Sequence, residues 1–244
     1  MRALSAFNLL RVWEQGEGEP GYQQALLPLR AACPEESLEQ LSGLSIGSRD
    51  ARLLALRKCM FGRQLDSITA CPACRERLEF SMDVSDLGGS MSGLTEERFQ
   101  LAMDQYMVDF RSFNTRDLVA AAQYPDDDEK YAVLMKRCVL DAHQDAEEIG
   151  PEKLPPHVLE ALAARIAQTD PQADVQLALV CPTCAHRWDA LFDIVSFFWS
   201  EIRSWAIRLL REVHVLASVY GWREADILAM TPLRRSLYLE LATG

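Results

Sequence analysis

The sequence lacks a long uninterrupted apolar segment. Its most apolar stretch, residues 191–199 (LFDIVSFFW), is short and contains Asp193, whereas a membrane-spanning helix needs roughly 20 apolar residues. Residues 1–15 include an early arginine but have neither a sustained apolar region nor a small-residue cleavage site, so they do not resemble a signal peptide. From these absences we expect a cytoplasmic protein that does not span a membrane.

Basic residues are in the minority. The chain has 25 Lys and Arg against 36 Asp and Glu, which gives a formal net charge of −11. Nucleic-acid binding depends on the neutralisation of phosphates by Lys and Arg, so this balance argues against general nucleic-acid binding. The chain also lacks a nucleophile elbow, a phosphate-binding loop, an H-E-x-x-H motif and a dinucleotide fingerprint. The sequence therefore offers no positive evidence of an enzyme.

Two Cys-Pro-x-Cys segments repeat each other along the chain. The first is CPACRERLEFSMDV, from Cys71 to Val84, and the second is CPTCAHRWDALFDI, from Cys181 to Ile194. Beyond the cysteines, the segments share an arginine, a large apolar residue next to it, and an aspartate before a β-branched residue: Arg77 and Arg187, Leu78 and Trp188, Asp83 and Asp193. Four thiolates in two such pairs can form one tetrahedral Zn²⁺ site. We predict a structural zinc bound by Cys71, Cys74, Cys181 and Cys184.

The remaining cysteines and the histidines point to ordinary roles. Seven cysteines, four of them in CxxC pairs, indicate a reducing compartment and a metal site rather than a disulfide framework. The other three (Cys33, Cys59 and Cys138) are expected to be small buried apolar residues. His186 is close enough to Cys184 to replace a ligand, but we expect it at the ribbon surface. The isolated histidines are interpreted as packing or surface residues: His143, His157 and His214.

Other interpretations of the cysteine pairs stay open. The two pairs are further apart than zinc-ribbon pairs commonly are, so they can also be separate reduced pairs without a metal. Thiol exchange requires a low-pKa first thiol at a helix N-terminus. A strand-like alternation follows each second cysteine, which argues against a redox enzyme. A complete shell of four thiolates also leaves no open position for catalysis at the metal.

The apolar periodicity predicts a mainly helical α+β protein with a central four-cysteine zinc ribbon and a C-terminal helical segment. Residues 1–70 are predicted to be helical, with Ser37 and Ser48 before two of the helices. Alternation predicts strands at 78–84, 107–113, 174–180 and 188–194. Further helices are expected at 116–123, 131–143 and 157–168. We divide the chain into an N-terminal helical region (1–66), a first zinc half-ribbon (67–87), an α/β insertion (88–172), a second half-ribbon (173–195) and a C-terminal helical region (196–244).

The C-terminal region has a strong helical period. Apolar residues recur at three- and four-residue steps from Ser196 to Tyr220, and Gly221 marks the expected end of this helix. Its beginning carries three consecutive aromatic residues, Phe197, Phe198 and Trp199. They cannot all face one core across a helix, so we expect at least one to meet another layer or a partner.

Three segments resemble proteins of a known group. Residues 192–241 contain the turn Tyr220-Gly221-Trp222, the segment ILAM (227–230) and an arginine-rich final segment with Tyr238-Leu239. Residues 56–87 and 110–120 extend the similarity to the front of the chain. Together they resemble the zinc-knuckle members of the baseplate protein family of contractile phage tails and phage-tail-like injection systems. That family includes the baseplate hub assembly chaperones of T-even phages.

The resemblance implies a non-enzymatic assembly factor or structural component of a baseplate or hub. Its partners would be baseplate, hub or tape-measure proteins, and it would be cytoplasmic or incorporated into an assembled tail particle. We place the partner surface on the C-terminal helices at Phe198, Trp199, Tyr220, Trp222, Arg234, Arg235 and Tyr238. T-even chaperones need not carry a metal, so the knuckles depart from that pattern. The alternatives are a zinc-ribbon regulator that contacts nucleic acid or transcription machinery, and a CxxC redox protein.

Overall fold

Helices form more than half of the protein, and the strands form small antiparallel sheets. The computed structural model describes residues 1–87, 98–145 and 147–243. The helices are α1 (Ala6–Gly16), α2 (Gly21–Ala32), α3 (Leu38–Gly43), α4 (Ile46–Phe61), α5 (Thr115–Ala121), α6 (Asp127–Cys138), α7 (Pro156–Thr169), α8 (Ile194–Tyr220), α9 (Glu224–Leu228) and α10 (Pro232–Thr243). The strands are β1 (Gln64–Ala70), β2 (Arg77–Asp83), β3 (Phe99–Met103), β4 (Tyr106–Phe110), β5 (Val139–Gln144), β6 (Glu147–Glu148), β7 (Gln176–Val180) and β8 (Arg187–Leu191). The α+β class predicted from the sequence is confirmed.

Two of the sheets are hairpins that match each other. Strand β1 pairs with β2, and β7 pairs with β8, both antiparallel. The pair nearest the turn is Ala70 with Arg77 in the first hairpin and Val180 with Arg187 in the second. Each Cys-Pro-x-Cys knuckle therefore lies in the turn of its own hairpin. The sequence repeat corresponds to a structural repeat.

The main core is helical. Helices α1, α2, α4 and the first part of α8 bury their apolar faces against one another, with Leu9, Leu29, Leu53 and Phe198 almost fully buried. Leu65 of β1 is buried in the same cluster. The first hairpin is thus anchored directly to the helical core.

A second core lies inside the predicted insertion. The four-stranded sheet has the order β3-β4-β5-β6. Its inner face places Val108 and Phe110 against Leu162 and Ile166 of α7. Residues 88–97, at the start of the predicted insertion, lie outside the described residues. The domain boundaries proposed from the sequence remain predictions.

The C-terminal region extends beyond the main core. Helix α8 is 27 residues long, and its second half packs against α9 and α10 in a separate apolar cluster around Val213, Leu216 and Ile227. In the described ranges, no helix combines the length and the apolar character that a membrane crossing requires.

Local signals predicted several helix ends correctly. Ser37 begins α3 with a capping box, in which its side chain accepts from the backbone N–H of Gln40. Asn114 begins α5 in the same way with Asp117. Gly221 ends α8 in the left-handed conformation, at φ 67°.

Three local predictions are wrong. The predicted helix 131–143 ends at Cys138, and Val139–Gln144 forms strand β5, because pairing with β4 outweighs the local helical pattern. The segment Gln64–Ala70 is strand β1 rather than helix, since it pairs along its full length with β2. Helix α4 is capped by Ser45 and not by Ser48, whose N–H donates to the Ser45 side chain.

A buried ion pair joins α4 to α8, the two helices that are continuous with the hairpins. Arg57 is 2% exposed. Its Nε and Nη2 donate to the two carboxylate oxygens of Glu201 at 2.8 and 2.6 Å, and its Nη1 donates to the carbonyl oxygen of Gly62 at 2.8 Å. Because β1 follows α4 and α8 follows β8, this contact fixes the bases of both hairpins relative to each other.

We expect Glu201→Ala to lower the free energy of unfolding by about 2–3 kcal/mol, because it leaves the buried Arg57 guanidinium without its carboxylate. Chemical denaturation measures the loss. The matched control is Arg203→Ala on the same helix, which breaks an exposed pair with Glu17 and should cost less than about 1 kcal/mol. Equal losses in the two variants would contradict this role for Arg57 and Glu201.

Candidate metal centre

The two knuckles have the same backbone hydrogen bonds. In the first knuckle, the N–H of Cys71 donates to the carbonyl oxygen of Glu76 at 2.9 Å, and the N–H of Arg75 donates to that of Cys71 at 2.8 Å. In the second, Cys181 donates to His186 and Ala185 donates to Cys181, both at 2.9 Å. The match shows that the sequence repeat encodes one turn geometry twice.

The residue after each second cysteine adopts a left-handed backbone conformation. Arg75 has a φ of 64° and Ala185 a φ of 58°. Non-glycine residues adopt this region at a cost of roughly 1–2 kcal/mol. The strain is the same at corresponding positions of the two knuckles, so it belongs to the turn and not to one side chain.

The four cysteines of the two knuckles converge at one point. Their sulfur atoms all lie within 4.8 Å of one another. The Sγ of Cys71 is 3.7 Å from that of Cys184, and the Sγ of Cys74 is 3.6 Å from that of Cys181. Cys71 and Cys181 are buried, whereas Cys74 and Cys184 are exposed. The site is therefore closed on the protein side and accessible from one edge.

These distances fit a metal site. A tetrahedral zinc with Zn–S bonds of about 2.3 Å places its four sulfurs about 3.8 Å apart, close to the 3.6 and 3.7 Å found between the knuckles. A disulfide requires about 2.05 Å, and all four cysteines are free thiols here. The donor set of four thiols is the one that structural zinc sites prefer.

Neither knuckle is followed directly by a helix. Each knuckle is followed by a strand, β2 or β8, rather than by a helix. The helix N-terminus that lowers the pKa of a catalytic thiol is therefore missing from both knuckles.

A small apolar cluster surrounds the buried pair of thiols. Leu78 and Trp188 pack with Cys71 and Cys181, and these two side chains occupy the shared apolar position of the sequence repeat. His186 stacks on Trp188, with ring centroids 6.0 Å apart, and is not a member of the four-cysteine group. The location of His186 agrees with the expectation that it lies at the ribbon surface.

The other three cysteines lie outside the four-cysteine group. Cys33 and Cys138 are buried, and burial raises the pKa of both, to about 12 for Cys138. The expectation of a buried cysteine is wrong for Cys59, which is exposed. Cys33 lies near the carboxylates of Glu35 and Glu36. Arg52 donates to both oxygens of Glu36 at 2.8 and 2.7 Å, so this group is a poorer metal site than the knuckles.

The sequence-based partner residues separate into two sets. Phe198 and Trp199 are 1% and 8% exposed and belong to the main core. Arg235 is also buried, and it donates to Glu212 and to the carbonyl oxygen of Met230, each at 3.0 Å. In this conformation these three side chains support the fold and are not accessible to a partner.

The other four partner residues form one aromatic group on the C-terminal helices. Tyr220 stacks on Trp222 with ring centroids 4.5 Å apart. Tyr238 meets Trp222 edge-on at 4.8 Å, and the guanidinium of Arg234 lies 5.6 Å from the centroid of Tyr238. The structure therefore brings Tyr220, Trp222, Arg234 and Tyr238 together.

A row of exposed leucines, which was not predicted from the sequence, lies beside this group. Leu233, Leu237 and Leu241 of α10 are 72%, 52% and 75% exposed. Their four-residue spacing places them on one face of the helix, opposite the face that packs on α8. The spacing was visible in the sequence, but the period alone does not say which face of a helix is covered.

The chain is similar to one family model. The model described as "T4 bacteriophage base plate protein" matches residues 8–199. The matched region includes both knuckles and ends within α8, so α9 and α10 lie outside it. No curated protein and no solved structure matches the chain significantly.

Glycine at the left-handed position of a knuckle should stabilise the protein. We expect Ala185→Gly to raise the free energy of unfolding by about 0.5–1 kcal/mol, because glycine adopts positive φ without the steric cost. Denaturant unfolding measures the gain. The control is Ala73→Gly in the first knuckle, where φ is not positive. This control should lose about 0.5–1 kcal/mol through backbone entropy, and a loss in both variants would argue against strain at Ala185.

Proposed function

Because the chain belongs to the T4 bacteriophage base plate protein family, we propose that it is a non-enzymatic assembly factor or structural component of a contractile baseplate. The family match over residues 8–199 carries this proposal. Membership gives the protein a baseplate structural role and implies interaction with other baseplate components. The more specific partners we propose are hub or tape-measure proteins of a phage tail or of a phage-tail-like injection system.

The proposed metal is a structural zinc held by Cys71, Cys74, Cys181 and Cys184. Four thiolates complete a tetrahedral shell and leave no open position for substrate or water. Metal binding at such a site contributes to the free energy of folding, by about 10 kcal/mol or more in small zinc peptides at neutral pH. Here it would join the hairpin that follows α4 to the hairpin that precedes α8. This supports a non-enzymatic role for the site.

The proposed docking surface is the exposed face of α10. Its occupant is another protein component of the baseplate, which would cover the leucines and contact the aromatic group around Trp222. Three leucines form a small apolar patch compared with the roughly 800 Å² that stable interfaces bury on each partner. One contact of this size is suited to a multi-component assembly, in which several modest interfaces act together. Phe198, Trp199 and Arg235 are not part of this proposed surface.

The zinc proposal predicts a stoichiometric metal that depends on the knuckles. We expect one Zn²⁺ for each chain by elemental analysis of the purified protein, and four thiols that react with a thiol reagent only after chelation. Cys74→Ser and Cys184→Ser should lower the zinc content at least tenfold. Cys59→Ser is the control, because Cys59 is exposed but lies outside the cluster, and it should keep full zinc. A metal-free protein with four freely reactive thiols would refute the zinc site.

The docking proposal predicts a loss of partner binding without a loss of fold. Co-expression with the proteins of a contractile phage tail or injection system should recover a baseplate, hub or tape-measure protein by affinity purification. The double variant Leu233→Ser/Leu237→Ser should reduce this recovery at least tenfold, because it removes the apolar row.

The matched control for docking is Leu38→Ser/Leu140→Ser, which replaces two other leucines that are 49% and 47% exposed. This control should bind as the unmodified protein does, and all forms should unfold at similar temperatures. Recovery of no tail component by the unmodified protein would contradict the assembly role. Equal recovery by the α10 variant would contradict only the location of the surface.

A further inference from the structure

The close contacts between thiols join the two knuckles to each other. Two thiol pairs that connect the knuckles have the geometry of an S–H···S hydrogen bond: Cys71 with Cys184 at 3.7 Å, and Cys74 with Cys181 at 3.6 Å. Each pair links one hairpin to the other, and each combines a buried thiol with an exposed one. Sulfur atoms from opposite halves of the chain are therefore in contact.

We propose that oxidation of the site converts it into two disulfides, Cys71–Cys184 and Cys74–Cys181, which replace the metal as the link between the hairpins. The proposal rests on the zinc site proposed above and adds a covalent state to it. The modification site is the exposed edge formed by Cys74 and Cys184, and the oxidant is a two-electron oxidant such as hydrogen peroxide.

We expect oxidation to begin at the exposed thiols. A peroxide can reach Cys184, whose sulfur attacks the peroxide oxygen to give a sulfenic acid with loss of one water. The thiol of Cys71 then attacks this sulfenic sulfur, and a second water leaves as the disulfide forms. Each disulfide thus consumes one peroxide, releases two waters and removes two electrons from two thiols. Cys74 and Cys181 react in the same way.

The closing movement is short. Each sulfur pair has to approach by about 1.6 Å to reach the disulfide bond length of about 2.05 Å. Closure within a knuckle would be different in its effect, because a Cys71–Cys74 bond links residues of one turn and leaves the two hairpins unconnected. We expect closure between the knuckles, where the two sulfurs of each pair are already hydrogen-bonded.

The oxidised site would keep the architecture of the zinc site. Both disulfides join residues that are more than a hundred positions apart in the sequence, and cross-links across long loops constrain the unfolded chain most strongly in the entropic account. Extracellular surroundings are oxidising, whereas the cytosol keeps thiols reduced. A chain that stays in a released tail particle would therefore keep its two halves linked after loss of the metal.

Peptide mapping tests the pairing directly. The zinc-loaded Cys59→Ser protein, which avoids cross-linking between molecules through Cys59, is treated with hydrogen peroxide while zinc release is followed with a chromophoric chelator. The oxidised protein is then alkylated and digested with trypsin without reduction. Cys71 and Cys74 fall on the peptide 64–75, and Cys181 and Cys184 fall on the peptide 166–187. A disulfide between knuckles therefore joins the two peptides, whereas a disulfide within a knuckle leaves them separate.

We expect the joined peptides in at least tenfold excess over separate peptides that each carry an internal disulfide. We also expect the oxidised, zinc-free protein to unfold at a higher temperature than the reduced, zinc-free protein. Separate self-closed peptides, or over-oxidised cysteines without disulfides, would overturn the proposal.

Paired variants resolve which cysteines join. Cys74→Ser/Cys181→Ser keeps Cys71 with Cys184, and Cys74→Ser/Cys184→Ser keeps Cys71 with Cys181. The first should form its disulfide at least tenfold faster, and the reverse order would overturn the assigned pairing. If these variants do not fold, the peptide map of the four-cysteine protein still decides between linkage within and between knuckles.

The disulfide proposal and the zinc proposal can fail independently of each other. A purified protein without zinc would refute the metal site, but its thiols can still be oxidised and mapped. A zinc-loaded protein that gives self-closed knuckles would leave the metal site intact and refute only the cross-link.

Discussion

The arrangement of this protein depends on the packing of α4 against the first part of α8. Strand β1 begins directly after α4, and β8 ends directly before α8, so each hairpin is the continuation of one core helix. The buried guanidinium of Arg57, held by Glu201 of α8, fixes the two helices at the base of the hairpins. Burying a charged guanidinium costs free energy, and this cost is offset only when the carboxylate partner has good hydrogen-bond geometry. The knuckles meet because the helices beneath them meet.

Sequence reasoning predicted the parts of the fold that depend on local chemistry. The capping boxes at Ser37 and Asn114 and the left-handed Gly221 are set by one turn of chain each. The convergence of the four cysteines was predictable because the two knuckle segments repeat in the same register beyond the sulfur ligands. The assignment of these cysteines as ligands remains a proposal, whereas their proximity is a property of the structure.

The features that sequence reasoning missed are set by tertiary contacts. Val139–Gln144 continues a helical pattern but pairs with β4, and the cost of leaving that strand unpaired is invisible locally. The aromatic residues Phe198 and Trp199 looked available for a partner, yet α1, α2 and α4 cover them. The row of leucines on α10 is exposed, and the sequence alone does not show this. In each case the sequence specifies a face or a period, and only the packing of other elements decides what that face meets.

A metal is physically appropriate at this position because the apolar cluster at the tips of the hairpins is small. A two-stranded hairpin is marginally stable in water by itself. In the part of the chain that the structure describes, the apolar cluster between the two hairpins consists of Leu78, Trp188 and two cysteines. The main core includes Leu65 of the first hairpin, but it does not reach the tips, where the cysteines lie. Coordination by four thiolates supplies at one point the free energy that burial of many apolar groups would otherwise provide. Such a link at the tips, together with the ion pair at the base, would hold the hairpins at both ends. The second half of α8 and α10 would then be free to present a surface to a neighbouring baseplate protein.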